Sequence, residues 1–152
     1  MKAIVLIILL PLCCLLSGCV QDLTADDTSA FQVIASGNSA QSDDKRLQVI
    51  ASQAAYDDIF FRVLNRSGTP ETFDFETYQV LLVMSGAQPA ALTLQVAGFS
   101  AVDQQVNIAL QPRYAAAGCP PPATVQQPWL LVLFPRVNKP LAITEQPQMV
   151  SC

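Results

Sequence analysis

Beyond the N-terminal 30 residues, two segments of this chain are apolar with scarcely a break: residues 78–84, where Gln79 is the one polar residue, and residues 129–134, where there is none. Both have the length of a strand rather than a helix. A strand without a polar face is buried on both sides, at the centre of a sheet rather than at its edge. Pro128 and Pro135 bracket the second segment, because a residue without an N–H belongs where a hydrogen-bonded ladder begins or ends. The rest of the chain has to supply what covers these two strands.

Half-buried strands are the first supply. Leu92, Leu94 and Val96 alternate with Thr93 and Gln95, and Val106, Ile108 and Leu110 alternate with Asn107, Ala109 and Gln111. This predicts strands over 92–96 and 106–111, each with one face inward, joined through residues 98–105. Shorter candidates lie at 31–36, 46–52 and 141–144, with a polar turn over 37–44. The pentapeptide Gln-Val-Ile-Ala-Ser occurs at both 32–36 and 48–52. Five residues of ordinary strand composition make two similar strands, not a structural repeat. Pro120, Pro121 and Pro122 read as a stiff connection.

A single segment has a helical period. Tyr56, Ile59, Phe60, Val63 and Leu64 share one face, with Ser52 placed to cap it and Ser67-Gly68-Thr69-Pro70 placed to stop it. Asp57 and Asp58 near its start and Arg62 and Arg66 near its end match the helix dipole, and Asp58 can reach Arg62 one turn later. Seven candidate strands in consecutive runs around one helix predict an α+β domain that is mostly β. The expected form is an antiparallel sheet or sandwich-like β domain with one packed helix, not a doubly wound fold, which needs a helix between each pair of strands.

Composition closes off much chemistry. The 152 residues contain no histidine, which removes the Ser-His and Cys-His nucleophile pairs, the imidazole base and every His-containing zinc site. Eight Lys and Arg against twelve Asp and Glu leave a charge of −4, which gives no footprint for nucleic acid. The six glycines form no phosphate loop. Asp43-Asp44, Asp57-Asp58 and Glu71, Asp74 and Glu76 are the carboxylate groupings, and nothing in their spacing sets two carboxyls across a cleft. Calcium is conceivable at Glu71, Asp74 and Glu76, but the EF-hand spacing is absent, and Asp74 suits a turn in which it accepts backbone hydrogen bonds. Asn65-Arg66-Ser67 matches a glycosylation sequon that a helix end explains as well. No catalytic residue, metal or cofactor is expected, and the chain does not read as an enzyme.

The N-terminus carries its own pattern. Lys2 precedes an uncharged apolar run over 3–16, too short for a membrane span, which takes about 20 residues. The run ends in Leu16-Ser17-Gly18-Cys19 and resembles a bacterial lipoprotein signal. The resemblance implies removal of residues 1–18 and acylation of Cys19, palmitate included, with residues 19–30 as a tether. The alternative is an ordinary secretory signal with Cys19 unmodified. Several acyl chains anchor stably where one does not. Val20, where aspartate would retain the protein in the inner membrane of enteric bacteria, points to the outer membrane and a domain facing the periplasm.

With Cys13 and Cys14 in the signal and Cys19 acylated, Cys119 and Cys152 remain in a compartment that permits disulfides, and a bridge between them is expected. The competing use, a reactive thiol, has no neighbouring histidine to activate it.

Over 31–144 the order of elements resembles the PrcB C-terminal-like family, named for an accessory subunit of a bacterial surface protease complex. The carrying residues are Val49-Ile50-Ala51-Ser52, then Tyr56 with Phe60 and Phe61, Asp74-Phe75, the run from Val80 to Gly86, and Gln127-Pro128-Trp129 leading to Pro135. Where family members carry a glycine pair and tyrosine, this chain has Gln88-Pro89-Ala90-Ala91-Leu92. The resemblance implies a single domain over 31–152 and an accessory role. The expected function is that of an envelope lipoprotein, held to the lipid bilayer through Cys19, that binds or stabilises an envelope protein partner. The other class is a small-ligand-binding or protease-inhibitory β domain. The charge-poor segments 88–91 and 115–127 are the expected docking surface, since they desolvate at little cost.

Overall fold

The computed structural model describes residues 31–102 and 105–152. The signal, Cys19 and the tether expected over 1–30 lie outside the described residues. Eight strands form two sheets with one helix: β1 (Gln32–Gly37), β2 (Lys45–Ile50), α1 (Gln53–Asp58) running into a π-helical turn (Ile59–Val63), β3 (Tyr78–Ser85), β4 (Leu92–Val102), β5 (Gln105–Ala115), β6 (Trp129–Pro135), β7 (Leu141–Glu145) and β8 (Gln148–Val150). The first sheet is antiparallel in the order β1-β6-β3-β2. The second pairs β4 with β5 antiparallel, and β7 and β8 with β5 parallel. The expected mostly-β, sandwich-like domain with one packed helix is what the chain forms.

The two apolar runs are β3 and β6, neighbours at the centre of the first sheet, with Leu81 opposite Val132 and Leu82 opposite Leu131. Their lack of a polar face has a direct cause: the sheet is covered on both sides. Leu81, Val83, Leu130, Val132 and Phe134 point to the second sheet and pack on Phe99, Val106, Ile108 and Leu110. Val80, Leu82, Met84, Trp129 and Leu131 point the other way, to Ile50, Tyr56, Ile59, Leu64 and Phe75. The result is three layers, helix on sheet on sheet, with two apolar cores sharing β3 and β6. The edge strands are covered less well, and Val33, Leu47 and Val49 stay exposed.

The helix starts where expected and ends differently. The Ser52 hydroxyl accepts from the Ala55 N–H, capping α1. After Asp58 the helix widens into the π turn, so that the Leu64 N–H bonds the Ile59 carbonyl, and these two side chains share the buried stripe with Tyr56. Phe60 and Val63, expected on the same face, also pack against this core but are only half-buried. Asn65, at φ 48°, takes the left-handed conformation, which terminates the helix before the Ser67–Pro70 stop is reached. Asp57 and Asp58 fall in the second turn rather than the first. Asp57 accepts from the Gln53 side chain, and Asp58 pairs with Arg62 as expected.

The strands of the second sheet run longer than their alternation indicates. β4 continues to Val102 through residues expected to be a connection, because Ala97 is an extra residue bulged out of the register between Val96 and Gly98. Buried positions therefore shift from even-numbered (Leu92) to odd-numbered (Phe99), and strict alternation loses the strand at that point. β5 runs on through Pro112. The Val106 and Ala116 N–H groups bond Pro140 and Val150, so even-numbered donors of β5 face β7 and β8. Pro112, with no donor to give, sits opposite the gap at Gln146 and Pro147 where β7 stops and β8, an eighth strand the pattern did not reveal, begins.

Candidate functional site

The two segments expected to dock a partner, separated by two strands in sequence, meet at one end of the sandwich. Gln88 and Gln126 form a two-way bridge, Gln88 N–H to the Gln126 carbonyl at 2.7 Å and the reverse at 3.0 Å, and the Ala115 N–H donates to the Ala91 carbonyl at 3.1 Å. The Ser85 N–H and hydroxyl both donate to the Pro128 carbonyl, and the Gln88 amide donates to the Ser85 carbonyl. Gly86 makes the turn out of β3 possible: its φ is +74°, and a Cβ there would stand 2.6 Å from the Asp43 carbonyl. Ala90 and Val125 are exposed on the resulting surface.

Cys119 and Cys152 lie at this same end, at disulfide distance with Cα atoms 5.7 Å apart. The Ala116 N–H donates to the Val150 carbonyl beside them, so the last strand and the long β5–β6 connection are held together twice.

A cavity of about 110 Å³ opens between the sheets next to the Gln88–Gln126 bridge. Val83, Leu94, Leu110 and Pro112 give it apolar walls, Met84 borders it, and Gln88, Tyr114 and Ser85 add polar atoms. Lys45, first in β2, and Glu145, last in β7, also line it and form an ion pair of 2.6 Å that joins the two sheets. Sequence reasoning missed this site entirely. Its residues come from five strands far apart in the chain, and no local spacing marks Lys45 and Glu145 as neighbours.

Several members of the carboxylate groupings have structural employment. Asp43 accepts from the Gln127 side chain, which links the β1–β2 turn to segment 115–127. Asp74 closes a turn, accepting from the Thr77 hydroxyl at 2.7 Å and the Glu76 N–H at 3.0 Å, and these bonds hold its carboxyl below the ordinary value. Glu71 offers its backbone carbonyl to Gln53. Among the described residues no three Cys, Asp or Glu side chains come together as a metal-holding group. No helix among the described residues is long and apolar enough to cross a membrane.

No protein-family model matches the chain, and no curated protein or solved structure matches it either.

Proposed function

We propose that this chain is a lipid-anchored protein of the bacterial cell envelope that acts without catalysis, as an accessory or stabilising module docking onto another envelope protein, a protease or other surface complex. The observation that supports the reading is the convergence of segments 88–91 and 115–127, neither of which carries a charge, on one stiffened surface. An interface core is depleted of charge and is best presented by a backbone that loses little freedom on binding. The resemblance to the PrcB C-terminal-like family and the Leu-Ser-Gly-Cys pattern at Cys19 support the accessory role and the envelope location.

Two experiments test the reading. Replacing Cys19 with Ser should abolish acyl labelling in a bacterial host and leave the signal unprocessed; labelling that persists refutes the anchor. Ala90→Glu and Val125→Lys, each at an exposed position, should reduce co-purification of a resident partner from detergent-solubilised envelopes about tenfold or more, because each buries an unpaired charge in the complex. Thermal midpoints should not change. A complex that survives both substitutions places the interface elsewhere. Inhibition of an added protease without stable assembly favours the protease-inhibitory alternative.

A further inference from the structure

Among the open edges of the two sheets, β2 alone is regular. β1 is interrupted between Val33 and Ala35, β4 by the bulge at Ala97, and the edge made by β7 and β8 by Gln146 and Pro147. β2 pairs with β3 from Lys45 to Ile50 without a shift of register, and no strand lies on its other side. Bulges and breaks keep an edge from pairing with a further chain, and β2 has none.

The hydrogen-bond pattern fixes what this edge offers. The Ser85 N–H bonds the Pro128 carbonyl and the Thr77 carbonyl accepts from Arg136, so odd-numbered residues along β3 turn their backbone groups to β6 and even-numbered ones to β2. Arg46, Gln48 and Ile50, opposite Met84, Leu82 and Val80, take up those bonds. The N–H and C=O groups of Lys45, Leu47 and Val49 therefore point outward, and among the described residues no backbone bond from outside the sheet reaches them.

Side chains set the chemistry of what can pair there. Leu47 and Val49, 42% and 41% exposed, stand on the face turned to the second sheet, opposite Val83 and Leu81. Arg46 stands on the other face, exposed, and forms no ion pair among the described residues, whereas Lys45 is already held by Glu145. A strand added at this edge lays residues of one face beside Leu47 and Val49 and a residue of the other face beside Arg46. A carboxylate in that place is attracted and an ammonium repelled, so Arg46 guards the edge against indiscriminate pairing and selects an acidic guest.

We infer that β2 receives an extended peptide segment of a partner protein as the next strand of the first sheet, with apolar residues beside Leu47 and Val49 and a carboxylate side chain beside Arg46. The Lys45 end of β2 adjoins segment 88–91 across the cleft that Lys45 and Gln88 both line. That one partner occupies both places rests on the docking reading above; the strand addition itself does not.

The probe is a capped peptide, acetyl-Val-Thr-Val-Glu-Thr-amide, which in antiparallel register sets its valines beside Val49 and Leu47 and its glutamate beside Arg46. Versions with lysine in place of the glutamate, and with both valines N-methylated, are its controls. Titrated against the folded domain, the glutamate peptide should shift the Leu47 and Val49 amides saturably in NMR and slow their hydrogen exchange. The lysine peptide should bind at least roughly fivefold more weakly, and the N-methylated one should give no protection. Arg46→Glu should reverse the order of the two charged peptides. Leu47→Pro removes an outward N–H while leaving the bonds to β3 in place, and should weaken the glutamate peptide; if that variant does not fold, the N-methylated peptide carries this arm. No saturable shift, equal binding of the two charged peptides, or an unreversed order in folded Arg46→Glu overturns the inference. The readout lies on β2 and needs no co-purified partner, so failure of the strand addition and failure of the docking surface are told apart.

Discussion

Single residues here do work that their chemistry foreshadows only in part. Trp129 is buried against the helix side of the first sheet, donates its indole N–H to the Ser39 carbonyl at 2.9 Å, and lies under the Arg66 guanidinium. Its ring presses on Gly37 so closely that an added Cβ would stand 2.7 Å away. Asp74 provides a pH-dependent contribution. Its carboxyl titrates below the ordinary value because the Thr77 hydroxyl, first, and the Glu76 N–H hydrogen-bond the ionised form. A group lowered in the folded state contributes stability that is fully present above its unfolded pKa and is lost as pH falls through the folded one. Thr77→Val should therefore move the Asp74 titration upward, seen in its carboxyl NMR shift, and make unfolding less pH-dependent below the ordinary carboxylate range. A titration midpoint identical to the wild type would refute the assignment.

At the scale of elements, the helix is tied down by one side chain. Gln53, the first residue of α1, donates its amide to Asp57 and to the Glu71 carbonyl, and its oxygen accepts from the Phe73 N–H. This fixes residues 71–73 so that Phe73 meets Tyr56 edge to face, with ring centroids 5.1 Å apart. Gln53→Ala should cost about 1–3 kcal/mol, since it leaves the part-buried Phe73 N–H without a partner. Hydrogen exchange at that amide should accelerate relative to amides in β3 and β6. Equal protection in the variant would mean that the aromatic contact alone holds the loop. The helix also shows what a sequence can and cannot reveal. Its existence, its Ser52 cap and the Asp58–Arg62 pair were legible, because each depends on residues within one or two turns. The π turn was not, because the spacing of Tyr56, Ile59, Phe60, Val63 and Leu64 suits an ordinary helix, and the layer beneath selects which of them are buried. The same holds for β4, where one bulged residue, Ala97, reverses the parity on which strand recognition depends.

The whole molecule follows from β3 and β6. Their unbroken apolar character was the clearest statement in the sequence, and its cause is an architecture that covers the central sheet on both faces. Pairing order was not legible. β1 lies beside β6, and β5 takes two short parallel partners, matters settled by long-range packing and by the missing donor of Pro112. Segments 88–91 and 115–127 stand out by composition, whereas their meeting through Gln88 and Gln126 does not. The cysteine pair acts at the same scale, since it encloses β6, β7 and β8, with a sequence separation of 33 residues. In the chain-entropy view, a loop of that length is worth about 4 kcal/mol. Cys152→Ser should lower stability by roughly that amount in denaturant unfolding, and the loss should match that of the reduced wild type. A variant as stable as the oxidised protein would show that the last strand holds without the covalent tie.

Segments 88–91 and 115–127 contain no charged residue at all. Such segments contribute no charge of their own to steering a partner, and without steering an encounter proceeds at about 10⁵–10⁶ M⁻¹s⁻¹. Search in three dimensions is then slow. If Cys19 is acylated as proposed, confinement of both partners to one membrane surface would raise their local concentration and replace the missing attraction, and the lipid would have a kinetic role as well as a positional one.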